Sequence, residues 1–332
     1  MKGSLVISLD FELMWGNIEL WNPDTYGKSH VKQVPKIIDN LLDLFNKYNI
    51  HVTFSTVGLL MHANKDEVIA NTPFKIPTYD NKLLSPYENN FLCKINERDN
   101  MLYFAPDIIK RIKQAKGMEI GTHTYCHYYC WEKGQTLEQF DYDLDMAFKI
   151  AKQFGIRFKS IVFPRNQVSV DHLKICSKYG ITSYRGIAKK FFYEPKSKFD
   201  VIKNKICRII DAYINIGGYT TIPFTEINTS ENPINLRASR LLRPYNPKLA
   251  CLDWLRLRRM KKEMIYAAKN NHVYHIWWHP HNFGANIDEN FSFLEELLKC
   301  YKYCHKIYGM KSYTMSELRD LLVNKMSYKT NI

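Results

Sequence analysis

The sequence predicts an α/β fold, a distorted (β/α) barrel built on a mainly parallel sheet. Three observations carry that reading. Short apolar runs alternate along the chain with stretches whose apolar residues recur at helical spacing. Asp10, His123, Pro164-Arg165 and His279 all fall just past such runs, as functional residues do on the C-terminal face of a barrel. Hydrophobic residues make up 45% of the 332, enough for a full core within one barrel-sized domain.

The elements follow in order. Leu5–Leu9 reads as a buried strand and Val34–Tyr48 as a helix, with Ile37, Ile38, Leu41, Leu42 and Phe45 on one face. His51–Val57 is the next strand. Residues 61–100 lack periodicity and are rich in Asn, Pro, Asp and Lys, which predicts an inserted surface loop. Pro106–Lys116 reads as a short helix and Met118–His123 as a strand. Leu137–Phe154 is a long helix that Thr136 would cap, with Gln139 in the capping-box position. Ser160–Phe163 is a strand, Asp171–Tyr179 a helix and Thr182–Arg185 a strand. Residues 190–250 carry Pro195, Gly217-Gly218, Pro223, Pro233, Pro244 and Pro247, and read as a second insertion. A basic helix (Arg256–Lys269), a strand (Val273–Trp278), a helix over Asn290–Tyr308, a weak strand and a closing helix (Ser316–Val323) complete the chain.

Lys and Arg outnumber Asp and Glu by 47 − 33 = 14. That excess favours acidic partners such as a phosphorylated substrate or an anionic lipid surface, although a Lys- and Asn-rich composition accounts for it as well. Arg256, Arg258, Arg259, Lys261 and Lys262 would attract an anionic membrane. The basic residues form no recognisable nucleic-acid reading motif, so no nucleic-acid partner is expected. Eight thinly spread cysteines and a strand-like N-terminus favour a reducing, cytoplasmic setting, at most peripheral to the inner membrane face. No apolar stretch approaches the ~20 residues that span a bilayer.

His123 and His127 lie four apart in Gly121-Thr122-His123-Thr124-Tyr125-Cys126-His127, where a strand runs into a turn that can converge two imidazoles. Asp10 and Glu12 are two apart, so an extended strand puts both on one face. Two adjacent carboxylates repel unless a cation or proton lies between them. Two histidines and a carboxylate make an open-sided ligand set, the kind that leaves a divalent metal free for chemistry. The residues alone leave open which acid is the ligand and which the base. His279, leaving an apolar strand, is a candidate general acid. Arg165 could hold a carboxylate base by a bidentate pair or bind a substrate phosphate. Cys126, Cys130, Cys300 and Cys304 read as core thiols, and there is no Gly-rich phosphate loop or nucleophile elbow.

At these residues the chain resembles the polysaccharide deacetylase superfamily, the NodB-homology domain. Asp10-Phe11-Glu12 resembles its first motif, His123-Thr124-Tyr125-Cys126-His127 its H-[ST]-x-x-H motif, Pro164-Arg165 a variant of its third, and Trp278-His279-Pro280 its last. In the family's usual pattern the first-motif aspartates are adjacent, and the third-motif Arg precedes the Pro. The resemblance implies a barrel of about seven strands and a metal-dependent hydrolase that removes an N-acyl, typically N-acetyl, group from a sugar. It implies Glu12, His123 and His127 as ligands of Zn²⁺ or another divalent ion, Asp10 as base, His279 as acid and Arg165 as the residue that orients the base. A backbone N–H near Tyr128 would hold the oxyanion, and Tyr128, Asn166, Trp278 and His281 would contact substrate. The branch it most resembles is the one associated with surface-polysaccharide and lipopolysaccharide biosynthesis, and the basic charge suggests a nucleotide- or lipid-linked sugar as substrate. A hydrolase of glycosidic bonds and a non-catalytic glycan-binding or scaffold protein are the rival readings.

Overall fold

A computed structural model of the chain describes residues 1–189 and 198–327. The first strand, β1 (Ser4–Phe11), is buried at every residue. It is followed by α1 (Val34–Tyr48), which occupies the predicted span and ends where Asn49 turns left-handed at φ 51°. Then come β2 (Val52–Thr56), α2 (Lys65–Ala70), α3 (Asn100–Tyr103), α4 (Pro106–Gln114), β3 (Met118–Thr122), α5 (Leu137–Gln153), β4 (Ser160–Ile161), α6 (Val170–Lys178) and β5 (Ser183–Tyr184). The C-terminal half adds α7 (Lys198–Tyr213), β6 (Ile222–Pro223), β7 (Ile234–Asn235), β8 (Arg240–Leu241), α8 (Asp253–Asn270), β9 (His272–Trp278), α9 (Ile287–Tyr308), β10 (Lys311–Tyr313) and α10 (Met315–Ser327).

These strands form one curled sheet in the order β6-β9-β1-β2-β3-β4-β5-β7, with β10 on β1 and β8 on β9. Every pairing is parallel except β6 with β9. Residues 234–242 span the opening of the curl. Leu236 N–H and Ala238 N–H donate to the carbonyls of Tyr184 and Gly186, beside β5, and Ser239 N–H and Leu242 N–H then donate to His275 and Trp277 of β9. The Pro-rich stretch predicted as an elaboration therefore contains the segment that joins the two edges of the sheet. Its first residues, 190–197, lie outside the described residues.

The two-residue alternation of the strands sorts their side chains. On β1, Leu5, Ile7, Leu9 and Phe11 pack in one core with Ile37, Leu41 and Phe45 of α1 and with Met264 and Leu298 from the later helices. Val6 points the other way, into the barrel, with Val162, Ile234, Leu236 and Val273. Met315, Leu318 and Leu322 of α10 join this inner cluster and plug the barrel from below. Above the plug the interior turns polar with Ser8 and Asp10.

Residues 61–100 are more structured than their composition suggested. Asn64 caps α2 by accepting the Glu67 N–H, and Tyr79, Leu92 and Ile95 are buried. Tyr79 reaches the loop after β3, where its hydroxyl accepts the Tyr129 N–H at 2.9 Å. The capping box at α5 is formed from both sides. Thr136 accepts the Gln139 N–H at 3.3 Å, and Gln139 accepts the Thr136 N–H at 3.0 Å. Thr136→Ala should cost about 1 kcal/mol, lowering Tm by about 2 °C in a chain of this size. Differential scanning calorimetry checks this, and an unchanged Tm would mean the box contributes nothing.

Candidate metal centre and active site

Strand alternation places Ser8, Asp10 and Glu12 on one line at the C-terminal end of β1. Asp10 and Glu12 are both buried, and they face different partners, Asp10 the Arg185 guanidinium and Glu12 two imidazoles. Glu12 Oε2 lies 3.3 Å from His123 Nε2 and 3.1 Å from His127 Nε2. One ligand atom from each of these three residues can be chosen so that all lie within 4.8 Å of one another. His123 Nδ1 is 2.7 Å from the Val162 carbonyl, which only accepts, so Nδ1 carries the hydrogen. In the neutral ring the Nε2 lone pair then faces the Glu12 carboxylate. Lone pair against carboxylate is repulsive unless a proton or a cation lies between them. A buried carboxylate with two imidazoles, one held by a backbone carbonyl behind it, suits a divalent cation in both donor type and outer support.

The loop carrying the histidines is held by force. Thr124 and His127 sit in the left-handed region at φ 65° and 61°. Such a conformation costs of order 1–3 kcal/mol for a non-glycine residue and persists only where surroundings enforce it. The enforcing group is Asp143 of α5, whose carboxylate accepts the Tyr125 N–H at 2.8 Å and the Cys126 N–H at 3.0 Å. Burial pushes the Asp143 carboxyl up to about 6, while Cys126 and the two backbone donors oppose the shift. Thr124 Oγ1 accepts the Tyr128 N–H at 2.7 Å, and Tyr129 OH meets His127 Nδ1 at 3.1 Å.

Asp10 is paired with Arg185. Nη1 and Nη2 of Arg185 donate to the two carboxylate oxygens, each at 2.7 Å, and Nη1 also reaches Ser8 Oγ at 3.0 Å. Burial alone would push the Asp10 carboxyl up, but the Arg185 guanidinium, aided by His123 and His279, brings it below the usual carboxylate range. Burial likewise opposes ionisation of Glu12, and His279, His123 and His127 together hold it well below that range. Burial drives His127 down, toward the neutral form a ligand needs, with Glu12 opposing.

A chain of hydrogen bonds continues behind Arg185. His275 Nδ1 donates to the Leu236 carbonyl at 3.0 Å, and its Nε2 accepts from Ser8 Oγ at 2.9 Å. Burial, with Arg185 nearby, pushes this imidazole down to about 3, so it is neutral at physiological pH. The closing segment is thus connected through His275, Ser8 and Arg185 to Asp10. His279 stands at the mouth, a quarter of its side chain exposed. Its Nε2 is 3.7 Å from Asp10 Oδ2 and 3.5 Å from Glu12 Oε1, and Asn282 Nδ2 approaches its Nδ1 at 3.3 Å. That contact leaves the hydrogen on Nε2, directed at the two acids.

Among the residues singled out from sequence, Asp10, Glu12, His123, His127 and His279 converge here, and four others fall in different roles. Arg165, expected to orient the base, pairs with Glu19 and Glu132 and lies over the Tyr129 ring. The backbone at Arg165 and Asn166 is left-handed, which turns the Arg165 side chain toward those acids, and Arg185 takes the bidentate place on Asp10. The Tyr128 N–H is already committed to Thr124, and the Tyr128 hydroxyl donates to Gln135 and the Thr136 carbonyl. Trp278 is fully buried against Phe45 and Phe283, on the helix-facing side of β9. The tryptophan at the site is Trp277, whose ring lies 4.2 Å from the Arg185 guanidinium carbon. His281 is buried beside His279 and Trp21, and burial pushes it down to about 3. Asn166 does reach the site, with its Oδ1 3.5 Å from Arg185 Nη2. Strand parity is the signal that would have found the missed residues. His275, Trp277 and His279 alternate on one face of β9, and Arg185 follows β5 as Asp10 nears the end of β1.

The basic helix also differs from its sequence reading. Arg256 and Arg259 of α8 are buried, Arg256 donating to the carbonyls of Arg243 and Pro244. Lys261 pairs with Glu296 at 2.7 Å. Of the five basic residues expected to face a membrane, only Arg258 and Lys262 are exposed. No helix among the described residues is long and apolar enough to cross a membrane.

Residues 25–184 match the family model for polysaccharide deacetylase. The matched span holds His123, His127 and Arg165 and stops one residue short of Arg185. Among solved structures, the chain is similar to a protein of Mycobacterium smegmatis described as a polysaccharide deacetylase, at TM-score 0.57 and 11% identity, covering 98% of this chain and 92% of that one. It is also similar to the 4-α-glucanotransferase of Thermococcus litoralis, at TM-score 0.52 and 11% identity, covering 95% of this chain and 40% of that one. At such identities the likeness is one of fold. No curated protein matches the sequence.

The two arginines should separate sharply in a stability experiment. Arg185→Ala leaves Asp10 buried without its partner and should cost about 3–5 kcal/mol. Arg165→Ala removes a partly exposed pair and should cost under about 1 kcal/mol. Urea unfolding of both variants checks this, and comparable losses would contradict the assignment. Asp143→Asn touches none of the three proposed ligands, yet should lower Zn²⁺ affinity by about 10- to 100-fold by releasing the histidine loop. Competition with a chromogenic chelator measures it.

Proposed function

We propose that this chain is a divalent-cation-dependent carbohydrate deacetylase, hydrolysing the N-acetyl or a related N-acyl group of a sugar. The observation that carries the reading is the buried Glu12–His123–His127 set beside a separately held Asp10. The polysaccharide deacetylase match over residues 25–184 supports it. Glu12, His123 and His127 would hold the cation, proposed to be Zn²⁺. When bound, such an ion polarises the acyl carbonyl and lowers the pKa of water from 15.7 to about 7.

The chain's own residues supply the proton transfers. Asp10 stays ionised at neutral pH and takes the proton of the attacking water at a carboxylate oxygen. Arg185 fixes that carboxylate by two parallel N–H···O bonds, which hold its orientation through the transfer. His279 presents Nε2–H at the mouth and protonates the departing amine. With the acyl-carrying nitrogen protonated as the C–N bond breaks, the products are acetate and the free amino sugar. Trp277 and Asn166 border the acceptor side, where a sugar would lie against an aromatic face. The surface-polysaccharide setting rests on the sequence resemblance, and the cytoplasmic location on the thinly spread cysteines.

The glucanotransferase likeness makes a glycosidic reaction the relevant competitor. In this structure the two acids stand two residues apart on one strand, whereas glycosidic cleavage needs them on opposite sides of the scissile bond. The deciding assay incubates Zn²⁺-loaded protein with N-acetylated amino sugars, free and phosphate-linked, and measures acetate and reducing ends separately. Acetate release that is lost in Asp10→Asn, with zinc content retained, is the expected result. His123→Ala should lose both zinc and acetate release. New reducing ends without acetate would overturn the proposal.

A further inference from the structure

A surface helix ordinarily buries its apolar stripe, and α7 does the reverse. Its buried positions are Asn204, Asp211 and Ala212. Ile206, Ile210 and Ile214 follow one another at four-residue spacing, which sets them in one row along the helix. Ile214 lies just past Tyr213, but its N–H still donates to the Ile210 carbonyl at 2.9 Å and so continues the helical turn. These three and the adjacent Ile209 are each at least 40% exposed.

Polar contacts fix that orientation. The Asp211 carboxylate accepts from Arg240 Nη2 at 3.1 Å, and its carbonyl accepts from Nη1 at 3.1 Å. Arg240 Nε donates in turn to Glu263 at 2.8 Å, and all three side chains are buried. Rolling α7 to hide its isoleucines would strip a buried guanidinium of one of its two carboxylates, a costly loss in the interior. The isoleucines therefore stay in solvent. Single exposed apolar residues are commonplace, whereas a contiguous row marks a docking face.

The flanking charge indicates what covers it. At about 100° per residue, Lys203 and Lys205 fall to either side of Ile206. Both are exposed, and neither pairs with a carboxylate among the described residues. An apolar row between ammonium groups on flexible stems suits a lipid surface, where the row enters the acyl boundary and the lysines reach anionic headgroups. A second copy fits less well. It would gather four lysines at one interface, in a chain that already carries a net charge of +14.

We infer that the exposed face of α7 docks on an anionic lipid bilayer. The docking element is then α7, not the basic helix α8 that the sequence suggested. On its inward side α7 contributes Asp211 and Ala212 to a cavity of about 220 Å³ whose lining includes Trp277 and Asn166. The same two side chains contact Arg185, which holds Asp10. With α7 on the membrane, that cavity would lie about 10 Å, one helix width, from the lipid.

Co-sedimentation of the full chain with sucrose-loaded vesicles measures the docking. Vesicles of phosphatidylcholine and phosphatidylglycerol in equal parts should bind it about tenfold or more tightly than phosphatidylcholine alone. Ile206→Ser combined with Ile210→Ser keeps every charge and should weaken binding to the mixed vesicles by about tenfold or more. Lys203→Gln combined with Lys205→Gln should weaken it by about fivefold or more. Phe74→Ser, which removes an exposed ring beside Tyr142 of α5, should bind as the wild type does. Unchanged circular dichroism and Zn²⁺ affinity show that the variants are folded. Attraction by net charge alone predicts equal binding by the isoleucine variant and the wild type, and that result would overturn the inference. So would a dimer in analytical ultracentrifugation that the isoleucine variant abolishes, with no vesicle binding by the wild type, which would assign the face to a second copy. Binding is measured without catalysis, so its failure leaves the proposed hydrolysis standing.

Discussion

The bidentate pair between Asp10 and Arg185 is the interaction on which the upper half of the barrel depends. Arg185 follows β5 and Asp10 is the penultimate residue of β1, strands separated in the sheet by β2, β3 and β4. The guanidinium therefore crosses the interior and ties two walls together. Neither charge could be buried alone, because the desolvation of each amounts to several kcal/mol. Once paired, they recruit the rest: Ser8 on Arg185, His275 on Ser8, the Leu236 carbonyl on His275, and the Trp277 ring over the guanidinium. The segment that spans the sheet opening is thereby connected to the carboxylate proposed as base.

A second constraint acts on the histidine loop. Its left-handed Thr124 and His127 are conformations the free chain would avoid, and the compensation comes from α5 through Asp143. The capping box that starts α5 and the carboxylate six residues into that helix serve one end, a loop geometry in which both imidazoles face Glu12. The cost of arranging the site is met when the chain folds, so the proposed reaction would require no loop rearrangement.

The sequence disclosed the parts of this design that are written in residue type at strand ends. Asp10, Glu12, His123, His127 and His279 are rare types in conspicuous places, and α1 and α5 carry complete periodic or capping signals. Arg185 was harder to see because β5 pairs over only two residues and its arginine lies outside any recognisable motif, while Arg165 stood beside a proline in the expected neighbourhood. Trp278 and Trp277 differ only by strand parity, which a resemblance centred on the Trp-His-Pro triplet does not resolve. The buried fate of Arg256 and Arg259 was invisible for a different reason. Their non-local partners, the Arg243 and Pro244 carbonyls for Arg256 and Asn215 and the Gly218 carbonyl for Arg259, come from the insertion that precedes α8, whose path no periodicity describes.

The ambiguity left by two acids at i and i+2 has a physical resolution in their partners. Two carboxylates this close in sequence cannot both be buried and ionised unless each is neutralised separately. Asp10 is neutralised by a guanidinium that cannot leave or lose its proton, so it stays an acceptor with fixed orientation. Glu12 instead faces two imidazoles, and the His123 ring in its neutral form turns a lone pair toward it, so the charge of Glu12 is met only when a proton or a cation lies between them. The same asymmetry limits Asp10. A carboxylate held below its ordinary pKa is a weak base, and it can remove a proton from water only if the water has been made far more acidic. The proposed base and the proposed cation centre are for this reason one device, and neither half accounts for hydrolysis without the other.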